Sequence, residues 1–366
     1  MNTILMTTLT ISGITGILAL LLSVANRTIA NYGEMKLTIN NEKEYTVEGG
    51  DSLLSTLIEE EIFIPSACGG KGSCGYCKVK VTEGGGDILP TELGYVTPEE
   101  QKAGIRLSCQ LKVKTELKIV IPEELFNVKQ FDYTVSSMED VTDKIRHLKL
   151  QLPENASIDF KPGQYVQILT PVYKESDEEV YRAYSIASSP VNRNAIELLI
   201  GYVPEGICTT YIHKYLKKND TLTIVGPFGD FYYRDTDREM VMVGIGTGMA
   251  PLLSILRYMR DHGIQRRGTF YFGARTRKDL FLTEEIDAIS RELKDIEVVY
   301  TLSRPTPECN WEGPVGRVND LLDQRLGDCS ELEAYLCGSP LMIDAVMDVF
   351  QTKGFPMEHV HYDKFE

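Results

Sequence analysis

Charge is missing where a chain usually first carries it: no Lys, Arg, Asp or Glu occurs before Arg27. Basic residues are also scarce throughout, with 38 Lys and Arg against 53 Asp and Glu and a formal net charge of −15. A surface of that sign repels nucleic acid and anionic lipid headgroups. Nucleic acid is therefore excluded as a partner, and a basic patch cannot hold the chain at a membrane. Internal repeats and low-complexity stretches are absent. Apolar residues make up 43% and charged residues 25%, which excludes a disordered chain. The eight cysteines are too sparse for a secreted disulfide scaffold. Three of them crowd into ten residues, which fits a reducing compartment and one metal site.

The uncharged N-terminus is itself informative. A helix from Thr3 to Ala25 would be about 34 Å long at ~1.5 Å per residue, enough to span a hydrocarbon core of ~30 Å. A cleaved signal peptide would need a positively charged start, and here the first basic residue follows the apolar run. A retained single-pass anchor is expected, with the rest of the chain cytoplasmic by the positive-inside rule. Gly13 and Gly16 would let a neighbouring helix approach closely.

Beyond this segment the patterns change twice in 366 residues, a length that suits two or three domains. Lys36–Ile39 and Tyr45–Val47 read as strands around an Asn40-Asn41 turn. Residues 51–60 have helical periodicity with Asp51 as N-cap, and Lys78–Val81 and Leu117–Ile121 read as further strands. Residues 130–233 alternate short β-type runs with Pro and Gly turns, the pattern of a small antiparallel barrel. From Glu239 onward strand and helix alternate, which predicts a parallel α/β domain.

The cysteine pattern is Cys68-x5-Cys74-x2-Cys77-x31-Cys109. A [2Fe–2S] cluster needs four thiolates, two on each iron. A tight loop supplies three only if its backbone bends closely around the inorganic sulfurs. Gly69, Gly70, Gly72 and Gly75 permit that bend. Structural zinc sites use paired C-x2-4-C knuckles, and only one C-x2-C occurs here. Cys208, Cys309 and Cys329 are expected in the core.

The loop CGGKGSCGYC with the distant Cys109 resembles the ferredoxin domain of the F subunit of the sodium-translocating NADH:quinone oxidoreductase. Related oxygenase reductases usually have a shorter first cysteine spacing. Lys71 departs from the family's usual glycine, and a cation there favours the reduced, more negative cluster. Arg182-Ala183-Tyr184-Ser185 resembles the R-x-Y-S motif of the ferredoxin-reductase superfamily. The resemblance implies that Arg182 pairs with the FAD pyrophosphate, Tyr184 lies on the isoalloxazine, and Ser185 offers its hydroxyl to flavin N5. Gly206-Ile207-Cys208-Thr209-Thr210 looks like the family's second phosphate loop, with Thr209 as hydroxyl donor.

Gly244-Ile245-Gly246-Thr247-Gly248-Met249-Ala250-Pro251 follows a buried-type strand and lacks the spacing of G-x-G-x-x-G. It resembles the GxGxGxAP nucleotide loop of the same superfamily. Cys337-Gly338-Ser339-Pro340 resembles its CGPP loop, which implies that Cys337 lies near nicotinamide C4. Tyr362 to Phe365 resembles the terminal aromatic segment that covers the flavin; the other reading is a frayed tail. The resemblance favours NADH over NADPH, although Arg304, Arg275 and Arg277 could receive a 2′-phosphate. His359 and His361 alternate on one strand, and two ligands do not make a metal site.

The expectation is a multidomain chain. It comprises a transmembrane helix and linker (1–33), an α+β ferredoxin-like (β-grasp) [2Fe–2S] domain (34–127), an antiparallel β-barrel FAD domain (128–235) and an α/β NAD-binding domain (236–366). By resemblance it oxidises NADH as the electron-input subunit of a membrane redox complex. Its partners are other membrane subunits of the inner membrane, and quinone is reached indirectly. One departure is the short, acidic Pro171–Tyr181 segment, where the family usually carries a longer insertion. Two other readings stay open: a reductase that supplies an oxygenase or another membrane acceptor, and a redox sensor.

Overall fold

The computed structural model describes Met6 and residues 12–19, 32–66 and 68–365. The expected anchor, Thr3 to Ala25, lies largely outside these residues. Met6 and residues 12–19 are helical, and among the described residues no helix is long and apolar enough to cross a membrane. From there the chain divides into two units, one ending at Val128 and one beginning at Lys129.

The first unit is built on a five-stranded mixed sheet. Its strands are β1 (Glu34–Ile39), β2 (Lys43–Glu48), β3 (Lys78–Glu83), β4 (Ile105–Leu107) and β5 (Leu117–Val120), in the order β2-β1-β5-β3-β4. β1 and β5 are parallel, and the other pairs are antiparallel. The hairpin turn at Asn40 and Asn41 takes positive φ, which asparagine tolerates better than most residues. Helix α1 (Leu53–Glu59) buries Leu53, Leu54 and Leu57 against the sheet, each worth about 1.5–3 kcal/mol. Its cap is Ser52, one residue later than the sequence suggested: the Ser52 hydroxyl accepts from Ser55 N at 3.1 Å. Asp51 instead offers its carbonyl to Val113 N. A short helix, α2 (Pro98–Lys102), closes a capping box between Thr97 and Glu100.

The second unit begins with six antiparallel strands: β6 (Lys129–Asp140), β7 (Ile145–Gln151), β8 (Tyr165–Thr170), β9 (Val180–Ser185), β10 (Ala195–Gly201) and β11 (Thr221–Phe228). Their order is β10-β7-β6-β11-β8-β9. An antiparallel bridge between Ile186 and Leu198 joins the two edges and closes the barrel. Helix α3 (Ile207–Lys214) places Cys208 and Ile212 in the barrel core.

The rest of this unit is a five-stranded parallel sheet, β12 (Glu239–Ile245), β13 (Gly268–Ala274), β14 (Ile296–Leu302), β15 (Leu332–Gly338) and β16 (Val360–Lys364). Alternation splits its side chains between two cores. Met240, Met242, Phe270 and Phe272 pack with helices α4 (Met249–Asp261) and α5 (Thr283–Leu293). Val241, Val243, Tyr271 and Val299 pack with α6 (Val318–Arg325) and α7 (Pro340–Lys353). The order β14-β13-β12-β15-β16 reverses direction between β12 and β15. Such a switch point opens a crevice beyond the strand ends, where ligands bind. The C-terminus is no frayed tail, because β16 pairs in parallel with β15.

Candidate functional site

The cysteine loop runs between α1 and β3. Gly72 and Gly75 take φ of 74° and 71°, and both are hemmed in by side chains. A Cβ on Gly72 would come within 2.5 Å of Gln110 Nε2, and one on Gly75 within 2.9 Å of the Tyr95 ring. Cys68 and Cys74 bring their sulfurs to 3.4 Å, and Cys77 pairs with Cys109. Crowding divides the protons within each pair. The Cys74 thiol pulls Cys68 down to about 4, and the Cys77 thiol pulls Cys109 down to about 7, while Cys74 and Cys77 are pushed up. Among the described residues no three His, Cys, Asp or Glu side chains converge on one metal position. Two separate thiol pairs suit two irons with two thiolates each, not a single tetrahedral zinc.

Two groups beside the thiols fit the same ligand. Ser108 Oγ is fully buried against the Cys77 sulfur, with no other hydrogen-bond partner; a cluster-bound Cys77 thiolate would give it a stronger acceptor. Gln110 Nε2 donates to Cys109 Sγ at 3.6 Å. The loop bearing Tyr95 is held by a buried pair, Arg106 and Glu92. Glu92 also accepts from Leu89 N and Leu107 N at 2.9 Å each. None of these long-range partners carries a local sequence signal. Lys71 is exposed on the loop. Lys71→Gly is expected to lower the cluster's midpoint potential by roughly tens of millivolts, as loss of one nearby cation requires. A redox titration with an unchanged or higher midpoint would count against this.

On β9, Arg182 and Tyr184 share a face, opposite Ile168 and Val166 of β8. Tyr184 packs on the barrel core, and burial, with Cys208 beside it, pushes its phenol well up. Cys208 lies against Thr170 and Tyr184 and feels the Arg182 charge, so the flavin motif and the second phosphate loop meet although Tyr184 and Cys208 are 24 positions apart. The first helical bond of α3 runs from Thr210 N to Gly206 O. Gly206 N donates to Val203 O at 3.1 Å, and the first-turn amides of Ile207, Cys208 and Thr209 lack a helical carbonyl and point the way an anion would bind. The Thr209 hydroxyl, expected as a donor to ligand, is engaged within the loop. It donates to Val203 O at 3.0 Å and accepts from Val203 N at 3.2 Å. Ser185 is buried on the opposite face of β9, shared by alternation with Ala187, which packs with Met249 and Cys337. That face turns toward the nucleotide-binding half.

The Pro171–Tyr181 segment is tied down by Tyr173. Its hydroxyl donates to Ile207 O at 2.9 Å, and its ring packs on Tyr211 and Tyr215 at 5.4 and 5.1 Å. Tyr215 in turn donates to Glu175 Oε1 at 2.6 Å.

At the switch point, Gly246–Gly248 forms a tight 3-10 turn between β12 and α4. Gly246 has φ of 53°, and a Cβ on Gly248 would collide with the Cys337 carbonyl. Gly244 pairs with Cys337 across the parallel ladder, and Pro251 lies buried in the first turn of α4. Burial pushes the Cys337 thiol well up, and burial also lifts its neighbour Asp363 to about 6. Phe365 N donates to Gly338 O at 2.9 Å, and the Phe365 ring packs on the core cluster that contains Cys337. Arg304 N donates to Arg275 O, and Arg277 Nη1 donates to Cys309 O. His361 Nε2 lies 3.1 Å from Glu333 Oε1, so this histidine is engaged with a buried carboxylate. Cys208 and Cys329 are buried, and Cys309 is half-buried.

Three family descriptions match the chain in this order: a 2Fe-2S iron-sulfur cluster binding domain over residues 37–114, an oxidoreductase FAD-binding domain over 132–233 and an oxidoreductase NAD-binding domain over 242–348. The F subunit of the Na(+)-translocating NADH-quinone reductase of Neisseria meningitidis serogroup B is 37% identical over 392 residues, spanning 95% of this chain and 96% of that one. The chain belongs to the family of these F subunits. The member from Idiomarina loihiensis is 36% identical over 394 residues, with 95% and 96% covered. Solved structures agree in fold. The Amycolatopsis cytochrome P450 reductase GcoB has a TM-score of 0.74 at 25% identity, covering 90% of this chain and 98% of its own. The ferredoxin reductase in carbazole 1,9a-dioxygenase has 0.70 at 26%, covering 91% and 99%. As a member of that family, the chain carries sites for a [2Fe–2S] cluster, FAD and NAD.

Proposed function

We propose that this protein is the NADH-oxidising, electron-input subunit of a sodium-translocating NADH–quinone reductase. One observation carries the reading: two thiol pairs in the same chain as a flavin strand and a nicotinamide crevice, in a relative of the Neisseria protein along 95% of its length. Bound together, NADH, FAD and the cluster supply a hydride and its division into single electrons. The protein's own residues bind and align. Cys68, Cys74, Cys77 and Cys109 would hold the cluster. Arg182 and the amides of Ile207 to Thr209, in the loop that Gly206 opens, would hold the FAD pyrophosphate, with Tyr184 on one side of the flavin and the Ser185 hydroxyl toward N5. Gly244, Gly246, Gly248 and Pro251 would form the NADH phosphate cradle. Cys337 would stand by nicotinamide C4, and Phe365 would cover the flavin until nicotinamide enters.

Alignment of the two rings carries much of such catalysis, since well-oriented reactants gain up to about 7–11 kcal/mol. Sodium translocation and quinone reduction would belong to other membrane subunits, because one helix cannot form a pump. Thr3 to Ala25 would anchor the chain in the inner membrane with the cofactor domains cytoplasmic. The likeness to P450 and dioxygenase reductases supports the same cofactor chemistry, but at lower identity. The test is direct. Full-length protein purified anaerobically should reduce ferricyanide with NADH, and after dithionite it should give the EPR signal of a reduced [2Fe–2S] cluster. An iron-free, EPR-silent preparation, or one without NADH turnover, would overturn the reading.

A further inference from the structure

The nicotinamide loop and the flavin strand belong to different halves of the second unit, so something must set their separation. Helix α4, which starts at that loop, lies along barrel strand β10. At one end, a Cβ on Gly201 would touch Thr247 of the loop at 3.2 Å. At the other, Arg257 reaches Glu197. Four residues of strand span about 13 Å and ten of helix about 15 Å, so the two contacts run alongside each other.

Arg257 is buried and uses its fork on three elements at once. Nη1 donates to Glu197 Oε2 on β10 at 2.8 Å and to Ala187 O, just past β9, at 2.9 Å. Nε and Nη2 donate to Glu285 of α5 at 2.8 and 3.0 Å. One turn earlier, Ser254 Oγ donates to Ser188 O at 2.7 Å. Glu197 is further held by His147 at 2.9 Å and Lys149 at 3.4 Å. Burial opposes its ionisation, but these partners keep it charged, down to about 2. A cavity of about 450 Å³ opens beside the clamp, between Asn192, Glu197 and Glu285. Ala187 and Leu199 of the barrel share a buried apolar cluster with Leu253 and Leu256 of α4, and at Arg257 that packing gives way to polar bonds.

We propose that Arg257 is a positioning residue for hydride transfer, locking the helix behind the nicotinamide loop in register with the flavin strand. The claim rests on the function proposed above. A misplacement of about 1 Å far from the chemistry can cost on the order of 100-fold in rate, and only a planar fork holds two carboxylates and a carbonyl together.

Stopped-flow reduction of the full-length, FAD-loaded protein by NADH tests it. Arg257→Ala should lower the limiting rate of flavin reduction by roughly 10- to 100-fold, leave the NADH dissociation constant within about twofold, and raise the isotope effect with C4-deuterated NADH. In the same variant without NADH, amides 246–250 should exchange hydrogen faster. Glu285→Gln, which removes one carboxylate charge from the clamp, should shift every readout the same way by less, and it decides the matter if Arg257→Ala does not fold. A wild-type limiting rate with full FAD occupancy, or a loss confined to NADH affinity, overturns the proposal. If the wild-type protein is not reduced by NADH, the functional reading fails; amide exchange still decides the clamp, and unchanged exchange sinks it.

Discussion

Cys109→Ala should separate two activities that the intact protein couples. Electron delivery to quinone is expected to fall by on the order of 100-fold or more, since a lost ligand exceeds the 10–100-fold cost typical of supporting residues. The dithionite EPR signal and bound iron should disappear with it. NADH oxidation by ferricyanide should persist, because Arg182, Tyr184, Ser185 and Cys337 lie in the other unit, which has its own core and shares none of the four cysteines. The expectation comes from geometry. Cys109 would be the one proposed ligand outside the loop, and it is held next to Ser108, whose N–H donates to Cys77 O at 2.8 Å. Removing it breaks the Cys77 pair and leaves three thiols for two irons. A variant that keeps its iron and its EPR signal would mean that the four cysteines do not act as one ligand set.

That site was legible because its ligand spacing is local. Three cysteines in one glycine loop announce themselves in sequence, as do the Gly246–Gly248 turn and the Arg182–Ser185 strand. The parts that finish each site are not local. Gln110 reaches Gly72, Tyr95 covers Gly75, and Ser108 turns its hydroxyl inward beside Cys77. Each depends on how strands pair, which residue identity alone does not specify. The same gap explains the smaller misses. Ser52 and Asp51 are adjacent and equally good caps; the fold chooses Ser52 because Asp51 is tied by its carbonyl to Val113. Thr209 looked like a ligand donor until the Val203 turn folded back upon it.

Buried ion pairs were the least visible feature. Nothing in the sequence sets Glu92, Glu197 and Glu333 apart from the rest of the 53 Asp and Glu. In the structure each anchors an arginine: Arg106, Arg257 and Arg266. These pairs sit where loops or layers meet around the sites. Burial makes a lone charge there costly, so each position depends on its partner.

Glu333 shows how strongly. It is almost fully buried at the base of β15, paired with Arg266 and His361, and it accepts from Thr236 Oγ1 at 2.9 Å and from the Tyr335 hydroxyl at 3.1 Å. Burial disfavours its charge, yet His361, Arg266 and Thr236 together hold the carboxyl down to about 2. Glu333→Gln removes that charge and leaves Arg266 buried without its counter-ion, at an expected cost of roughly 3–5 kcal/mol. At about 2–4 °C per kcal/mol for a unit of this size, the second unit should melt some 6–20 °C lower at pH 7. The pH dependence has a definite sign. A folded pKa below the unfolded value stabilises above the unfolded value and is lost as pH falls through the folded one. The gap between wild type and variant should therefore hold above about pH 4.3, narrow below it, and close near pH 2 as the wild-type carboxyl takes up its proton. Thermal melts from pH 7 down to the acid limit would measure this, and a gap that stayed constant with pH would show that the Glu333 charge does not stabilise the fold.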